Sequence, residues 1–142
     1  MDSSLKKIVN FISQHHVLSL ATSFENELSV CSLFYSYIQE KNIFIIASSK
    51  DTKHIQHIVK NPKIAGNILL ETKRVGEIKG LQFIGKCTEV QDKHSKLSYF
   101  KDFPYALALN PTLWQIEIDS FKLTDNSFGF GKKLIWQNEA SV

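Results

Sequence analysis

The chain has few of the residues that staple, kink or interrupt a fold: among 142 residues only two are cysteine, three proline and six glycine. Cys31 and Cys87 stand isolated in strand-like segments. The sequence therefore carries neither a disulfide framework nor a metal-binding knuckle, and both are read as small core or interface residues. With no Pro/Gly/Ser-rich stretch to divide it, a chain of this length is expected to form a single domain over residues 1–142. No apolar run approaches the ~20 residues of a membrane span, and the opening Met1-Asp2-Ser3-Ser4-Leu5-Lys6-Lys7 lacks the apolar core of a signal peptide. A cytoplasmic protein without a membrane partner is expected. Net charge is small too: the formal charge is +3 and the lysines are scattered rather than gathered into one run, which argues weakly against nucleic acid as the main partner. Neither a Gly-x-Ser-x-Gly elbow nor a Cys/His dyad with supporting spacing is present, so nucleophilic hydrolysis has little basis.

What the chain does have is short strand patterns separated by polar turns. Leu5, Ile8, Val9 and Ile12 repeat at helical spacing behind the capping candidates Ser3 and Ser4, which predicts a first helix ending near His15-His16. Val17 to Thr22 and Leu28 to Ile38 read as an antiparallel hairpin across Ser23-Phe24-Glu25-Asn26-Glu27. The second strand carries apolar or aromatic groups on both parities, Leu28, Val30, Phe34 and Ile38 against Cys31, Leu33, Tyr35 and Tyr37, so it needs cover on both sides. Ile43 to Ala47 suits a central strand. The helix after it is expected to pack through Ile55, Ile58 and Val59 and to stop at Asn61-Pro62. Strands resume at Ile64 to Leu70 and Gly76 to Val90. A helix over Asp92 to Phe100 follows, with Leu97 and Phe100 as its apolar pair. Trp114, Ile116 and Ile118 then alternate with polar residues until a phase slip at Ser120, after which Phe121 and Leu123 continue; the slip predicts a bulge. About six strands joined by short turns, with three minor helices, make the chain mainly β, an antiparallel barrel with helices at its rim.

The segment richest in chemistry is Ser48-Ser49-Lys50-Asp51-Thr52-Lys53-His54, where a buried-looking strand enters a hydroxyl-rich, basic turn that opens a helix. The first turn of a helix presents unpartnered N–H groups and the positive end of the macrodipole, and so attracts an anion. Lys50 and Lys53 flank Asp51, the expected N-cap, and oppose the dipole by roughly 0.3–1 kcal/mol each. Two readings are open on these residues alone: a bound phosphate relieves the conflict, or Asp51 and Thr52 simply cap the helix while both lysines point into water. His54 and His57 lie one helical turn apart, but no third ligand has recognisable spacing, and no metal site is expected. Trp114 and Trp136 are read as core or interface aromatics.

The order of these segments resembles the split-barrel flavoproteins related to pyridoxamine 5′-phosphate oxidase. The resemblance covers nearly the whole chain and is carried by Leu18-Ser19-Leu20-Ala21-Thr22, the Ser48 to Lys53 turn with Asn61-Pro62, and Gly80-Leu81-Gln82-Phe83-Ile84-Gly85. The ending, Lys122 to Asn126 followed by Gly129-Phe130-Gly131-Lys132-Lys133, is similar to a small, functionally uncharacterised bacterial branch of that superfamily. The resemblance implies a six-stranded split β-barrel of the FMN-binding type. It further implies a homodimer with FMN at the subunit interface, Ser48, Ser49, Thr52 and Lys53 on the phosphate, and Ser32, Leu33 and Phe34 alongside the isoalloxazine. Lys132 and Lys133 would close over the flavin from the second subunit.

The chain departs from the family pattern in three places. Thr52-Lys53 stands where those oxidases carry Arg-Lys, so one bidentate phosphate contact is absent. Lys133 stands in place of an arginine, and Gly80 in place of a glutamine. The expected activity is accordingly an FMN-dependent oxidoreductase acting on a small substrate other than pyridoxamine 5′-phosphate, with hydride chemistry supplied by the flavin. The alternative is a flavin- or haem-binding module that stores or senses its ligand without turnover, in which His54 or His57 would serve a haem.

Overall fold

The computed structural model describes residues 2–139. Helix α1 (Ser3–Ser13) starts behind Asp2, whose side chain accepts the Ser4 N–H at 3.0 Å, so the cap is Asp2 and not Ser3 or Ser4. It buries Ile8, Phe11 and Ile12. Strands β1 (Val17–Phe24) and β2 (Glu27–Phe34) form the expected hairpin. Its two linking residues, Glu25 and Asn26, both take positive φ (48° and 66°), the geometry whose twist matches that of the flanking strands. The remaining elements are β3 (Ser36–Ile38), β4 (Ile43–Ala47), α2 (Lys53–Lys60), β5 (Lys63–Leu69), β6 (Lys79–Glu89), α3 (Lys93–Asp102), β7 (Leu113–Asp125) and β8 (Lys133–Gln137).

The eight strands form one antiparallel sheet in the order β2-β1-β5-β6-β7-β4-β3, with β8 on β7. That is two more than the six expected. The long second strand breaks at Tyr35 into β2 and β3, and the lysine-rich ending supplies β8. The break shapes the molecule, because β2 begins the sheet order and β3 ends it while only Tyr35 separates them in the chain. The sheet curls until its two edges meet in one bent segment, which is a split barrel. Tyr35 is held at the bend by its N–H to the His16 carbonyl (3.0 Å) and its hydroxyl to the Ile12 carbonyl (2.6 Å).

Phe44 fills the barrel, with the rings of Tyr35, Tyr37 and Phe83 at 5.1, 5.2 and 5.1 Å and that of Phe121 at 6.3 Å. Cys87 is buried in this core as expected, and burial pushes its thiol up to about 12; Cys31 is half-buried at the margin of the same core. Trp114 is also core, and Trp136 packs on Phe121 at 5.8 Å. The expected bulge lies where Ile84 faces Ser120 but Gly85 faces Ile118, so Asp119 is an additional residue on β7. Inward residues accordingly switch from Trp114, Ile116 and Ile118 to Phe121 and Leu123.

Two packing expectations are corrected. Val59 is 70% exposed, and His57 takes its place among the buried residues of α2. On α3 Leu97 faces solvent while Tyr99 and Ser95 are buried, with Phe100 packed at the margin of a second cluster around Ile38, Ile43 and Leu113. The outer face of β2 is exposed in the single chain, with Leu28 77%, Val30 74% and Phe34 57% exposed, so the chain's own helices do not supply the cover expected on that side. Among the described residues no helix is long and apolar enough to cross a membrane.

Gly85 sits at the bulge because a Cβ there would lie 2.2 Å from the Glu117 carbonyl oxygen, a contact that backbone must yield to relieve. Gly85→Ala is expected to destabilise the fold by about 1–3 kcal/mol, read as a lowered urea midpoint with unchanged slope; a wild-type midpoint would refute the close packing.

Candidate functional site

The turn leaving β4 is fixed from beneath. Ser48 donates its N–H to the Thr112 carbonyl (3.0 Å), and its own carbonyl accepts the Trp114 indole N–H (2.9 Å). Thr52, not Asp51, is the N-cap of α2. Its hydroxyl oxygen accepts the Ile55 N–H at 3.4 Å and its hydroxyl donates to the Ser49 carbonyl at 2.8 Å. Asp51 instead accepts the Ser49 hydroxyl at 2.5 Å. Ser48 and His54 meet side chain to side chain (Oγ to Nε2, 2.5 Å), with the Thr52 hydroxyl 3.3 Å from the same nitrogen. The first-turn N–H groups of Lys53 and His54 have no carbonyl to bond within the helix.

Both lysines of the turn rest on carboxylates from neighbouring strands, Lys50 on Glu89 (3.5 Å) and Lys53 on Glu27 (3.8 Å). The expected conflict between these cations and the helix dipole is thus offset inside the protein. Behind Lys53 runs a buried chain of polar groups. His57, 4% exposed, has Nδ1 2.8 Å from the Thr22 hydroxyl and Nε2 2.9 Å from the same Glu27 oxygen that faces Lys53. The His57 hydrogen bond, and then the Lys53 charge, hold the Glu27 carboxyl below its ordinary range. His54 is pulled below the ordinary imidazole value, first by burial and then by the neighbouring His57.

The fold brings some of the expected residues together and separates others. Ser48, Ser49, Thr52 and Lys53 share the turn. Because Ser36 pairs with Ile45, the end of β2 passes close to the end of β4, and Leu33 and Phe34 approach the strand that delivers Ser48. The Phe34 ring packs on Phe103 at 5.4 Å, and the side chain of Ser32 lies on the exposed face with it. Lys132 and Lys133 lie elsewhere: Lys133 pairs with Thr124 whereas the turn adjoins Leu113, on the order of 30 Å away at the ordinary rise of a strand. Within one chain they do not reach the turn, and the Lys133 ammonium bonds to the Gly131 carbonyl at 3.1 Å. Among the described residues no three His, Cys, Asp or Glu side chains converge as a metal site.

No family model matches the chain. It is 34% identical over 142 residues to the UPF0306 protein of Klebsiella pneumoniae strain 342, covering 98% of this chain and 97% of that one. It is 35% identical over 136 residues to the UPF0306 protein of Enterobacter sp. strain 638, covering 94% and 96%. The chain belongs to the UPF0306 family. Among solved structures it is similar to a heme binding protein from Mycobacterium smegmatis (TM-score 0.80, 12% identity, 99% of this chain and 60% of that one). It is also similar to an FAD-binding protein from Mesorhizobium loti (0.69, 17%, 84% and 90%) and to the heme storage protein HutZ from Vibrio cholerae (0.67, 16%, 80% and 88%). At these identities the likeness shows the fold, a split barrel.

Sequence reasoning missed the Thr22–His57–Glu27 chain in this UPF0306 protein. The signal available was weak, because helical spacing groups Val59 with Ile55 and Ile58 and sets His57 well away from Ile55; only its position one turn after Lys53 marked it. Two outcomes follow from the geometry. Thr22→Val keeps the shape but strips a partner from the buried His57 and is expected to cost about 1–3 kcal/mol by chemical denaturation. His54 binds a proton less readily folded than unfolded, so stability falls as pH drops through the unfolded value of about 6.5 toward the lowered folded one. His54→Gln is expected to flatten that part of the wild-type stability profile; an unchanged slope would place the dependence in other groups.

Proposed function

We propose that the chain binds FMN, with the flavin phosphate on the turn from Ser48 to Lys53 and the ring beside Ser32, Leu33 and Phe34. The observation that carries the reading is the juxtaposition of a hydroxyl-lined helix start with the uncovered end of β2 at the closure of the barrel. The residues fit the group: Ser48, Ser49 and Thr52 line the turn with hydroxyls that an anion would draw from their present partners His54, Asp51 and the Ser49 carbonyl, the first turn of α2 offers N–H donors, and Lys53 is held only by a loose, exposed ion pair that an anion can take over. Bound there, the flavin would supply hydride transfer, and the protein would supply orientation and control of access. The substrate class follows as a small molecule able to accept or give up hydride.

The uncovered apolar face is the second element of the reading. Val30, Ala21, Ala65 and Ile84 line a depression of about 410 Å³ on the outside of β2, β1, β5 and β6. A second copy of the chain is the occupant we propose, in a homodimer that covers this face and brings Lys132 and Lys133 of one subunit toward the flavin of the other. Exposed contiguous apolar surface of this kind on a small barrel is characteristic of an interface.

Haem is the competing ligand because two of the similar structures carry that description. His57 does not favour it, since both its ring nitrogens are engaged and it is buried, and the Nε2 of His54 is engaged by Ser48.

The test is the visible spectrum of purified protein incubated with FMN and passed through gel filtration. Retention of bands near ~450 nm is expected, and Lys53→Ala should weaken binding by about 1.5–3 kcal/mol through loss of a charge-assisted phosphate contact. Absence of retained flavin together with a stable haem complex would replace the flavin reading by the storage one.

A further inference from the structure

Lys53 faces a competitor built into the fold. Its ammonium lies 3.8 Å from Glu27 Oε1, and that same oxygen lies 2.9 Å from Nε2 of the buried His57, whose Nδ1 is in turn 2.8 Å from Thr22 Oγ1. Glu27 stands at the start of β2 with its side chain 58% exposed and would ordinarily move freely. Here a buried imidazole fixes it, and the hairpin that carries it is registered with Thr22 opposite Ser29. The carboxylate is therefore placed by the interior and presented at the surface, directly against the one lysine of the turn that adjoins the first free N–H groups of α2. The other lysine, Lys50, is drawn toward Glu89. Asp51 adds a further carboxylate, so the two ammonium groups share the turn with three acids.

We propose that Glu27 is an internal counter-ion that competes with the ligand phosphate for Lys53 and so regulates occupancy of the site, a role that rests on the flavin reading above. Held by His57, Glu27 stands beside Lys53 as a weak, exposed counter-ion. A phosphate must displace the carboxylate from the ammonium before it gains the full charge contact. The device lowers affinity for every phosphorylated ligand and leaves the affinity for an unphosphorylated ring untouched. Glu27 is thus a positioning residue, acting on the ligand through Lys53, with His57 and Thr22 setting where its charge stands.

The experiment compares FMN with riboflavin on wild type, Glu27→Gln, Lys53→Ala and the double variant, by equilibrium fluorescence quenching at fixed ionic strength. Glutamine keeps an oxygen to accept from His57 and removes only the charge, so the melting temperature should hold. Glu27→Gln is expected to tighten FMN about three- to fivefold, the upper part of the range of an exposed ion pair, and to leave riboflavin unchanged. In the Lys53→Ala background the gain should vanish, since the cycle reads the coupling between the two side chains. If Lys53→Ala weakens FMN but Glu27→Gln leaves it unchanged or weaker, the counter-ion role is overturned while the flavin site stands. If Glu27→Gln tightens riboflavin equally, the effect does not pass through phosphate and the proposal fails. If the wild type binds neither flavin, the flavin reading fails and takes this role with it.

Discussion

The structure depends on closing one sheet upon itself. A sheet whose first and last strands are halves of the same segment must bend that segment sharply, and the bend occurs at Tyr35, tied by backbone and hydroxyl to the end of α1. Closure leaves an interior that must be filled to near-crystalline density, and Phe44 with four surrounding aromatic rings fills it. The same bend that allows this packing carries the end of β2 past the end of β4. The candidate site is thus a by-product of closure, lying where the barrel is stitched together.

Charge at that site is arranged by the strands around it. A helix start is electropositive, and two lysines beside it would repel one another and the dipole if left alone. Glu27 and Glu89, from β2 and β6, restore the balance. Only one of these acids is anchored from the interior, through a histidine that the barrel wall and α2 share. Local electrostatics are therefore coupled to the position of the β1–β2 hairpin: a shift of the hairpin relative to α2 would move the Glu27 charge with respect to Lys53.

Much of the fold was legible in the sequence because its signals were local. Alternation in Trp114 to Ile118, the phase slip at Ser120, the stop at Asn61-Pro62 and the apolar run of β4 each depend on neighbours along the chain, and each matches the structure. The errors arise where distant groups decide. Nothing beside Tyr35 announces a bend, since its partners are Ile12 and His16. Nothing beside His57 announces burial, since Thr22 and Glu27 satisfy it from another hairpin. Asp51 is a good cap by residue type, but Thr52 takes the position because Asp51 is engaged by Ser49. The turn itself was found from its residue types; the acids that neutralise it were invisible because they belong to other strands.

The additional residue at Asp119 sets how the barrel wall curves. On one side of it β7 pairs with β4, on the other with β8, and the two stretches present opposite parities to the same core. Deleting that one position would restore a uniform alternation in which, since side chains alternate with a period of two, Phe121 and Leu123 still face the barrel; what would be lost is the local bend and added twist that the bulge gives β7. Most strands can lose or gain a residue at their ends with the cost confined to a loop. In β7 a residue lost between Ile118 and Phe121 would leave the core side chains facing inward but straighten the middle of the strand, so the cost would fall on how the sheet curves toward closure.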